Sequence, residues 1–170
     1  MAAFTLTDLD GQERTFPPAG TGRLTLLIFL KTSCGSCKTA FPFVQRLADR
    51  YGSGLTVWGL SQSDAAKTRQ FAERYGCTFP FLLDRELFVS ASYDPVGVPA
   101  FYLHAGDGSL LSHTEAFNRL ELERLNTLIA EDLGANAAAL FAADDSGPVF
   151  RPACESNHRL AAAGLLDSDT

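Results

Sequence analysis

The sequence predicts an α/β fold in which a central mixed β-sheet is flanked by helices, with an N-terminal β-hairpin extension and a C-terminal tail. Two short apolar runs, at 24–30 and 55–60, are typical of strands that are buried on both faces of a parallel sheet. Segments with apolar residues at helical spacing alternate with these strands. Hairpin signals lie at the start of the chain and again beyond residue 98.

An N-terminal β-hairpin is predicted over residues 4–16. Apolar and polar residues alternate from Phe4 to Leu9, and the dipeptide Asp10-Gly11 follows them at the predicted turn. Alternation around an Asp-Gly turn is typical of two antiparallel strands. The segment 24–30 then forms the first buried strand, since a continuous apolar run of this length is too short for most helices.

Helices and strands alternate through the middle of the chain. Apolar residues recur at helical spacing between about Gly35 and Tyr51, and Asp64 supplies the N-cap of a second amphipathic helix. The remaining strands, short helix, second hairpin and final helix are predicted at 55–60, 79–83, 87–93, 99–113 and 118–133. This order implies a parallel sheet covered by helices, with an antiparallel hairpin at one edge.

The length of 170 residues fits a single domain with a sizeable core. We assign residues 1–143 to this domain and residues 144–170 to a C-terminal tail, because the periodic pattern ends near residue 144. The tail is expected to be partly ordered or mobile.

The charge balance and the apolar runs limit the partners of the chain. Its formal net charge is −6, which argues against non-specific binding to nucleic acid or to anionic membrane surfaces. The longest apolar run, at 24–30, is far shorter than the ~20 residues that span a membrane, and no secretory signal pattern opens the chain. We therefore expect a cytoplasmic protein without nucleic-acid or membrane partners.

The pair Cys34 and Cys37 is the strongest chemical signal in the sequence. It follows the first buried strand, so Cys34 is predicted at the N-terminus of the first helix. Unpaired N–H groups and the helix dipole stabilise a thiolate there. An exposed Cys34 thiolate can attack a disulfide, and Cys37, one helical turn further on, can resolve the mixed disulfide. Lys31, three residues upstream, adds favourable charge.

A zinc site is the alternative interpretation of two cysteines at this spacing. Structural zinc usually has four ligands, commonly two such pairs or one pair with suitably spaced histidines. The three histidines here, His104, His113 and His158, are scattered, and no second cysteine pair exists. We therefore expect redox chemistry, with no metal and no cofactor.

Several motifs occur together around the pair. The tetrapeptide Cys34-Gly35-Ser36-Cys37 follows a buried strand, Pro42 lies five residues beyond it, and Val98-Pro99 precedes a predicted strand. With the hairpin 4–16, this arrangement resembles the thioredoxin-like superfamily in its redoxin or TlpA-like branch, whose kink proline and cis-proline fall at these places. The resemblance covers roughly residues 4 to 134.

The resemblance implies a thioredoxin-like fold and a thiol–disulfide oxidoreductase. Cys34 would be the nucleophile and Cys37 the resolving thiol, while Pro99, with Val98 before it, would abut the pair and align extended substrate backbone. A cis X–Pro bond suits such a place because it costs little and leaves no N–H to satisfy. The implied partners are protein disulfide substrates and a thiol electron donor; the oligomeric state is not indicated.

The predicted site departs from that of thioredoxin itself. Ser33 stands where thioredoxin-type sites usually have tryptophan, and Gly35-Ser36 lacks the usual proline, which leaves the reduction potential open within about −270 to −120 mV. Ile28 occupies the place of a buried carboxylate that accepts the proton of the second thiol. Water, Lys31 or a residue from elsewhere is left for that role.

Cys154 lies in the tail and is the candidate for a third redox thiol. It would fold back and exchange with Cys34, with Arg151 and His158 lowering its pKa. The alternative is a passive tail cysteine, since nothing in the sequence holds the tail against the site. Cys77 is expected to be a small buried apolar residue. The other candidate accessory residues are Lys31, Gly35 and Ser36.

Two other functions stay open beside the leading one. A thiol peroxidase of the peroxiredoxin type shares the scaffold, but Lys31 stands where that chemistry usually has threonine, and Val98-Pro99 where peroxiredoxins have an arginine. A non-enzymatic redox-sensing or metal-binding adaptor would use its cysteines to bind a partner. Activity on a generic disulfide substrate separates the enzyme from the adaptor.

Overall fold

The computed structural model describes residues 3–19 and 22–166. In the first half of the chain the elements are β1 (Phe4–Thr7), β2 (Glu13–Phe16), β3 (Leu24–Leu30), α1 (Gly35–Tyr51), β4 (Leu55–Ser61), α2 (Ala65–Arg74), β5 (Phe81–Leu83) and α3 (Phe88–Tyr93). In the second half they are β6 (Gly97–Val98), β7 (Ala100–His104), β8 (Leu110–Glu115), β9 (Phe117–Asn118), α4 (Arg119–Asp132), β10 (Phe150–Arg151), β11 (Cys154–Glu155) and α5 (Asn157–Ala162).

Five strands form the central sheet in the order β5-β4-β3-β7-β8. The strands β3, β4 and β5 are parallel, whereas β7 and β8 are antiparallel to their neighbours. All seven residues of β3 are buried, as the continuous apolar run predicts for a strand inside a sheet with both faces covered. The predicted α/β fold with a central mixed sheet is therefore confirmed.

The N-terminal hairpin of β1 and β2 packs at one edge of this sheet. Its turn is closed by Asp8, whose Oδ1 accepts hydrogen bonds from the backbone N–H groups of Asp10 and Gln12, each at 2.9 Å. Next to Asp8, the backbone N–H of Leu9 donates to the carbonyl oxygen of Phe81 at 3.1 Å. The hairpin is thus attached to β5 and contributes to the same core.

The helix α1 has the bounds that its apolar spacing predicts, and it carries Pro42 inside. Its buried face lies on the core, and Phe41 packs against rings of the neighbouring elements. These rings are Phe71, Phe79 and Phe81, with centroid separations from Phe41 of 5.0, 6.2 and 5.7 Å. Aromatic contacts of this kind stabilise the face of the sheet against which the site helix lies.

The other predicted helix starts also agree with the structure. The carboxylate of Asp64 accepts from the backbone N–H of Lys67 at 2.8 Å at the start of α2, and the side chain of Asn118 accepts from that of Leu120 at 3.0 Å at the start of α4. Side-chain oxygens of this kind satisfy N–H groups that a helix leaves unpaired. None of the described helices is both long enough and apolar enough to span a membrane.

The tail runs back across the molecule. The predicted boundary at residue 144 falls in the segment 133–149, which has no helix or strand. Within the described residues that follow, β10 pairs with β9, and β11 pairs with β6. The short helix α5 then contacts α3. This path carries the tail over the N-terminus of α1, where the cysteine pair lies.

Candidate active site

The turn after β3 places Cys34 as the N-cap residue of α1. Its backbone is extended, with φ −72° and ψ 121°, and its carbonyl oxygen accepts the first helical hydrogen bond from Lys38 at 3.1 Å. Its Sγ accepts from the backbone N–H of Cys37 at 3.4 Å. The sulfur therefore lies among N–H groups that have no partner within the helix, which favours a thiolate.

Val98 and Pro99 lie beside this sulfur. The peptide bond between them is cis. The Sγ of Cys34 is 3.3 Å from the carbonyl oxygen of Val98, and the thiol form donates a hydrogen bond to it. The structure thus brings together Cys34, Cys37 and the Val98-Pro99 dipeptide, which the sequence places more than sixty residues apart.

The two thiols of the pair have opposite proton affinities. Hydrogen bonding from the Cys37 thiol is the main cause that lowers the pKa of Cys34, to about 5, against the opposing effect of burial. A hydrogen bond from Cys154 and the backbone N–H groups of Cys37 and Ser36 act in the same direction. Burial, followed by the interaction with Cys34, raises the pKa of Cys37. At neutral pH Cys34 is therefore a thiolate and Cys37 a thiol.

The expectation of an exposed Cys34 is wrong. Cys34 is only 1% exposed, and Cys37 is fully buried. The cause is the tail, because β11 pairs with β6 in antiparallel fashion and sets Cys154 opposite Val98, whose carbonyl oxygen contacts Cys34. Solvent and substrates are thus excluded from Cys34 while the tail is in place.

The candidate accessory residues all contact the tail. The Nζ of Lys31 donates to the carbonyl oxygen of Glu155 at 2.7 Å, and the Oγ of Ser36 donates to that of Pro152 at 2.5 Å. Gly35 lies against the guanidinium of Arg151, which would approach an added Cβ to 2.9 Å. Lys31 is therefore engaged with the tail backbone rather than turned toward Cys37.

Cys154 lies beside Cys34, but its proton affinity differs from the expectation. Burial, followed by the hydrogen bond and charge of Cys34, raises the pKa of Cys154. Arg151 and His158, which were expected to lower it, interact elsewhere: Arg151 donates to Thr39, and His158 pairs with the side chains of Ser156 and Asp94. Cys154 is therefore a thiol that donates to the Cys34 thiolate.

The other candidate residues, farther from the cysteine pair, lie in surroundings that do not suit redox chemistry or metal binding. Cys77 is half-buried, and burial raises its pKa to about 12, which makes it a poor nucleophile. Ile28 is fully buried in the core strand. Among residues 3–19 and 22–166, no three His, Cys, Asp or Glu side chains lie close enough together to hold a metal ion.

Sequence reasoning missed the residues that anchor the tail. The Nε2 of Gln62 donates to the Oγ of Ser156 at 2.7 Å, and the backbone N–H of Asn157 donates to the Oε1 of Gln62 at 2.9 Å. All three residues are buried. No sequence motif identifies these residues, because they are isolated polar residues that meet only when the tail folds back across the molecule. The one sign in the sequence is a polar residue, Gln62, close to the end of a strand predicted to be buried.

Fold and site together define a thioredoxin-like thiol–disulfide oxidoreductase. The chain belongs to the AhpC/TSA family, whose model matches residues 1–112. Thioredoxin-like protein YneN of Bacillus subtilis is 29% identical over 126 residues, which make up 71% of this chain and 73% of that protein. Thiol-disulfide oxidoreductase ResA of Geobacillus kaustophilus is 29% identical over 109 residues, or 63% of this chain and 62% of ResA.

A solved structure agrees with these sequence relatives. It is that of a secreted Mycobacterium tuberculosis disulfide oxidoreductase, described as homologous to E. coli DsbE. The similarity covers 70% of this chain and 90% of that one, with a TM-score of 0.59 and 27% identity. The prediction of an enzyme that exchanges thiols and disulfides is thereby confirmed.

Proposed function

We propose that the protein exchanges disulfides with protein substrates through Cys34 as nucleophile and Cys37 as resolving thiol. The observation that carries this assignment is the contrast within the pair. Cys34, at the helix N-terminus, has its pKa lowered to about 5, whereas the pKa of the fully buried Cys37 is raised. The thiolate is the attacking form, so Cys34 acts first.

In the first step the Cys34 thiolate attacks one sulfur of a substrate disulfide. The substrate S–S bond breaks, a Cys34–substrate disulfide forms, and the second substrate sulfur leaves as a thiolate. Cys37 then loses its proton and attacks the Sγ of Cys34, which frees the first substrate sulfur and leaves a Cys34–Cys37 disulfide. A thiol donor reduces this disulfide, and the same steps in reverse oxidise a substrate dithiol.

Val98 and Pro99 form the predicted substrate-aligning surface. The strand β6 ends at Val98, and its backbone lies within 3.3 Å of the Cys34 sulfur. An extended segment that takes the place of β11 on this short strand brings its own cysteine to Cys34, as in other cases of strand addition to a sheet edge. This arrangement favours substrates whose disulfide lies in extended, accessible chain.

Reduction of insulin disulfides with a limiting thiol donor tests the proposal. We expect the full chain to catalyse the reaction, Cys34→Ser to lose it, and Cys77→Ser to keep it as a matched control of a cysteine away from the pair. A Cys34→Ser protein that retained most of the activity would refute the assigned mechanism. Turnover of hydrogen peroxide without insulin reduction would favour the peroxidase alternative instead.

Trapping of the mixed disulfide tests the role of Cys37. The suitable variant combines Cys37→Ser with Cys154→Ser, so that neither neighbouring thiol can release the substrate from Cys34. We expect a covalent, thiol-cleavable complex between this variant and a disulfide substrate, and none with Cys34→Ser. The cytoplasmic location stays a prediction, which fractionation of cells that produce the protein would test.

A further inference from the structure

The strand β11 occupies the place beside Cys34 in which an extended substrate would lie. It pairs with β6 in antiparallel fashion, with Cys154 opposite Val98 and Glu155 opposite Gly97. Because the carbonyl oxygen of Val98 is also 3.3 Å from the Sγ of Cys34, this register sets Cys154 next to the nucleophilic sulfur. A cysteine thus lies where a substrate cysteine would have to lie.

The tail is held over the cysteine pair mainly through its backbone. The carbonyl oxygens of Pro152 and Glu155 accept hydrogen bonds from Ser36 Oγ at 2.5 Å and from Lys31 Nζ at 2.7 Å. Main-chain recognition of this kind gives affinity for extended segments with little regard to their side chains. The surface around the pair is therefore suited to an extended chain, and the tail is the chain that fills it.

Buried polar contacts anchor the segment that follows Cys154. Gln62 donates to Ser156 at 2.7 Å and accepts from the backbone of Asn157 at 2.9 Å, and the exposed fractions of these three residues are 4%, 0% and 1%. Breaking buried hydrogen bonds leaves polar groups unsatisfied, which costs free energy. The anchor therefore holds Cys154 near Cys34.

A second anchor precedes Cys154. The strand β10 pairs with β9, so that Phe150 lies opposite Asn118. The guanidinium of Arg119 donates to the carbonyl oxygens of four successive residues just before β10, at 3.1 to 3.3 Å; these are Asp145, Ser146, Gly147 and Pro148. The tail is thus fixed on both sides of Cys154, and only the short segment between the anchors crosses the site.

We propose that residues 152–155, between the two anchors, are an internal substrate of the cysteine pair and that Cys154 is a third redox thiol, which forms a disulfide with Cys34. This inference rests on the proposed function of Cys34 as nucleophile. It deepens that function, because it assigns the first partner of the pair to the chain itself. External substrates then reach Cys34 when the segment leaves the site.

The exchange needs no external oxidant once the pair is oxidised. Cys154 loses its proton to water and attacks the Sγ of Cys34 in the Cys34–Cys37 disulfide. The Cys34–Cys154 bond forms, the Cys34–Cys37 bond breaks, and Cys37 leaves as a thiolate that takes a proton from water. One disulfide and one thiol are present before and after the step, so electrons and protons balance.

Disulfide mapping of full-length Cys37→Ser tests the inference. Oxidised glutathione supplies the oxidising equivalents, acid stops exchange, free thiols are blocked, and mass spectrometry identifies the linked peptides. We expect glutathione to attach to Cys34, and Cys154 to displace it and leave a Cys34–Cys154 bond in most molecules. A docked thiol has an effective concentration in the mM range or above, so we expect about tenfold more Cys34–Cys154 than Cys34–Cys77 linkage.

Two results would overturn the inference. One is a Cys37→Ser protein that keeps glutathione on Cys34 while Cys154 stays free. The other is equal linkage of Cys34 to Cys154 and to Cys77, which would indicate exchange through unfolded molecules. The variant with Cys37→Ser and Cys154→Ser is the control, and it should retain glutathione on Cys34.

The map and the insulin assay separate the two proposals. If insulin reduction depends on Cys34 and no Cys34–Cys154 bond forms, the proposed function stands and the internal substrate is wrong. If Cys34→Ser leaves insulin reduction intact, the proposed function is wrong, whatever disulfides the map shows. Wild-type protein oxidised in the same way should be a mixture of molecules that have the Cys34–Cys37 disulfide and molecules that have the Cys34–Cys154 disulfide.

Discussion

Cys34 receives hydrogen bonds from two other thiols as well as from the helix. Cys37 contributes the largest lowering of its pKa and Cys154 the next, with backbone N–H groups of Cys37 and Ser36 after them. Burial opposes all of these, yet the pKa still falls to about 5. Hydrogen bonds to the charged form outweigh desolvation here because every donor is aimed at one sulfur atom.

The pH dependence of the Cys34 thiolate tests this account. In Cys154→Ala one donor is lost, so we expect the pKa of Cys34 to rise above its value of about 5, whereas Cys154→Ser keeps a hydroxyl donor and stays close to it. Ultraviolet thiolate absorbance, titrated in the reduced variants, measures the midpoint. A midpoint in Cys154→Ala equal to that of the unmodified protein would contradict a hydrogen bond from Cys154.

At the same scale, sequence reasoning found the reacting residues but not their surroundings. Spacing and position identify Cys34 and Cys37, because a cysteine pair directly after a buried strand has few other uses. The burial of Cys34 was predicted wrongly, since it depends on a segment more than one hundred residues away. The pKa of Cys154 was wrong for the same reason: its neighbour is the Cys34 thiolate, and no local residue indicates that contact.

At the scale of elements, the long helices and strands were predictable from their own sequence, whereas the shortest strands depend on the segments with which they pair. The helix α1 begins and ends as its apolar spacing predicts, and β3 is buried throughout. The strands β6, β10 and β11 have two residues each, which is too short for any periodicity. Each of them forms only because its backbone pairs with a segment that is distant in the sequence, so local sequence patterns could not predict them.

Gly97 gives direct control over the docking of the tail. A Cβ added to Gly97 would lie 2.6 Å from the Cβ of Ala153 and 2.9 Å from the carbonyl oxygen of Cys154, and the three nearest atoms all belong to the tail. We expect Gly97→Ala to displace β11 and to speed alkylation of Cys34 about tenfold, the factor that ~1.4 kcal/mol of docking free energy gives.

The alkylation experiment is made with reduced protein and a small, uncharged iodoacetamide. The unmodified protein is the reference, because it has the same four cysteines and differs from Gly97→Ala only at the residue that lies against the tail. If Gly97→Ala and the reference react at the same rate, the tail does not limit access to Cys34, and the burial of this residue must be relieved in another way.

At the scale of the whole molecule, the central fold and the docking of the tail have different origins. The hydrophobic pattern predicts the central sheet, the hairpin and the flanking helices, since burial of apolar surface is what holds them together. The tail is held by polar contacts between distant residues, such as the bidentate pair of Arg46 with Asp145 at 2.6 and 2.8 Å. Contacts of that kind leave no periodic trace, and a chain with the same core could lack them.

The stability of the whole protein should depend on the redox state of the pair and on pH together. The folded state lowers the pKa of Cys34 to about 5, so its stabilising contribution is full above the pKa of the unfolded thiol and is lost as pH falls through the folded value. Only the reduced protein has this titrating group, because the oxidised pair has no thiolate.

We therefore expect the free energy of unfolding of the reduced protein to rise by roughly 2 kcal/mol more than that of the oxidised protein between pH 5 and pH 7, at ~1.4 kcal/mol per pKa unit. Cys154→Ser is the protein to use, because it has a single possible disulfide within the site and keeps the hydroxyl donor to Cys34. Urea unfolding of both redox forms at the two pH values measures the difference. Oxidation also removes the Cys37 thiol, but that group stays protonated at both pH values in the folded protein, where its pKa is raised, and in the unfolded chain. The remaining titrating groups are common to the two forms, so equal changes with pH would mean that Cys34 keeps an ordinary pKa in the folded protein.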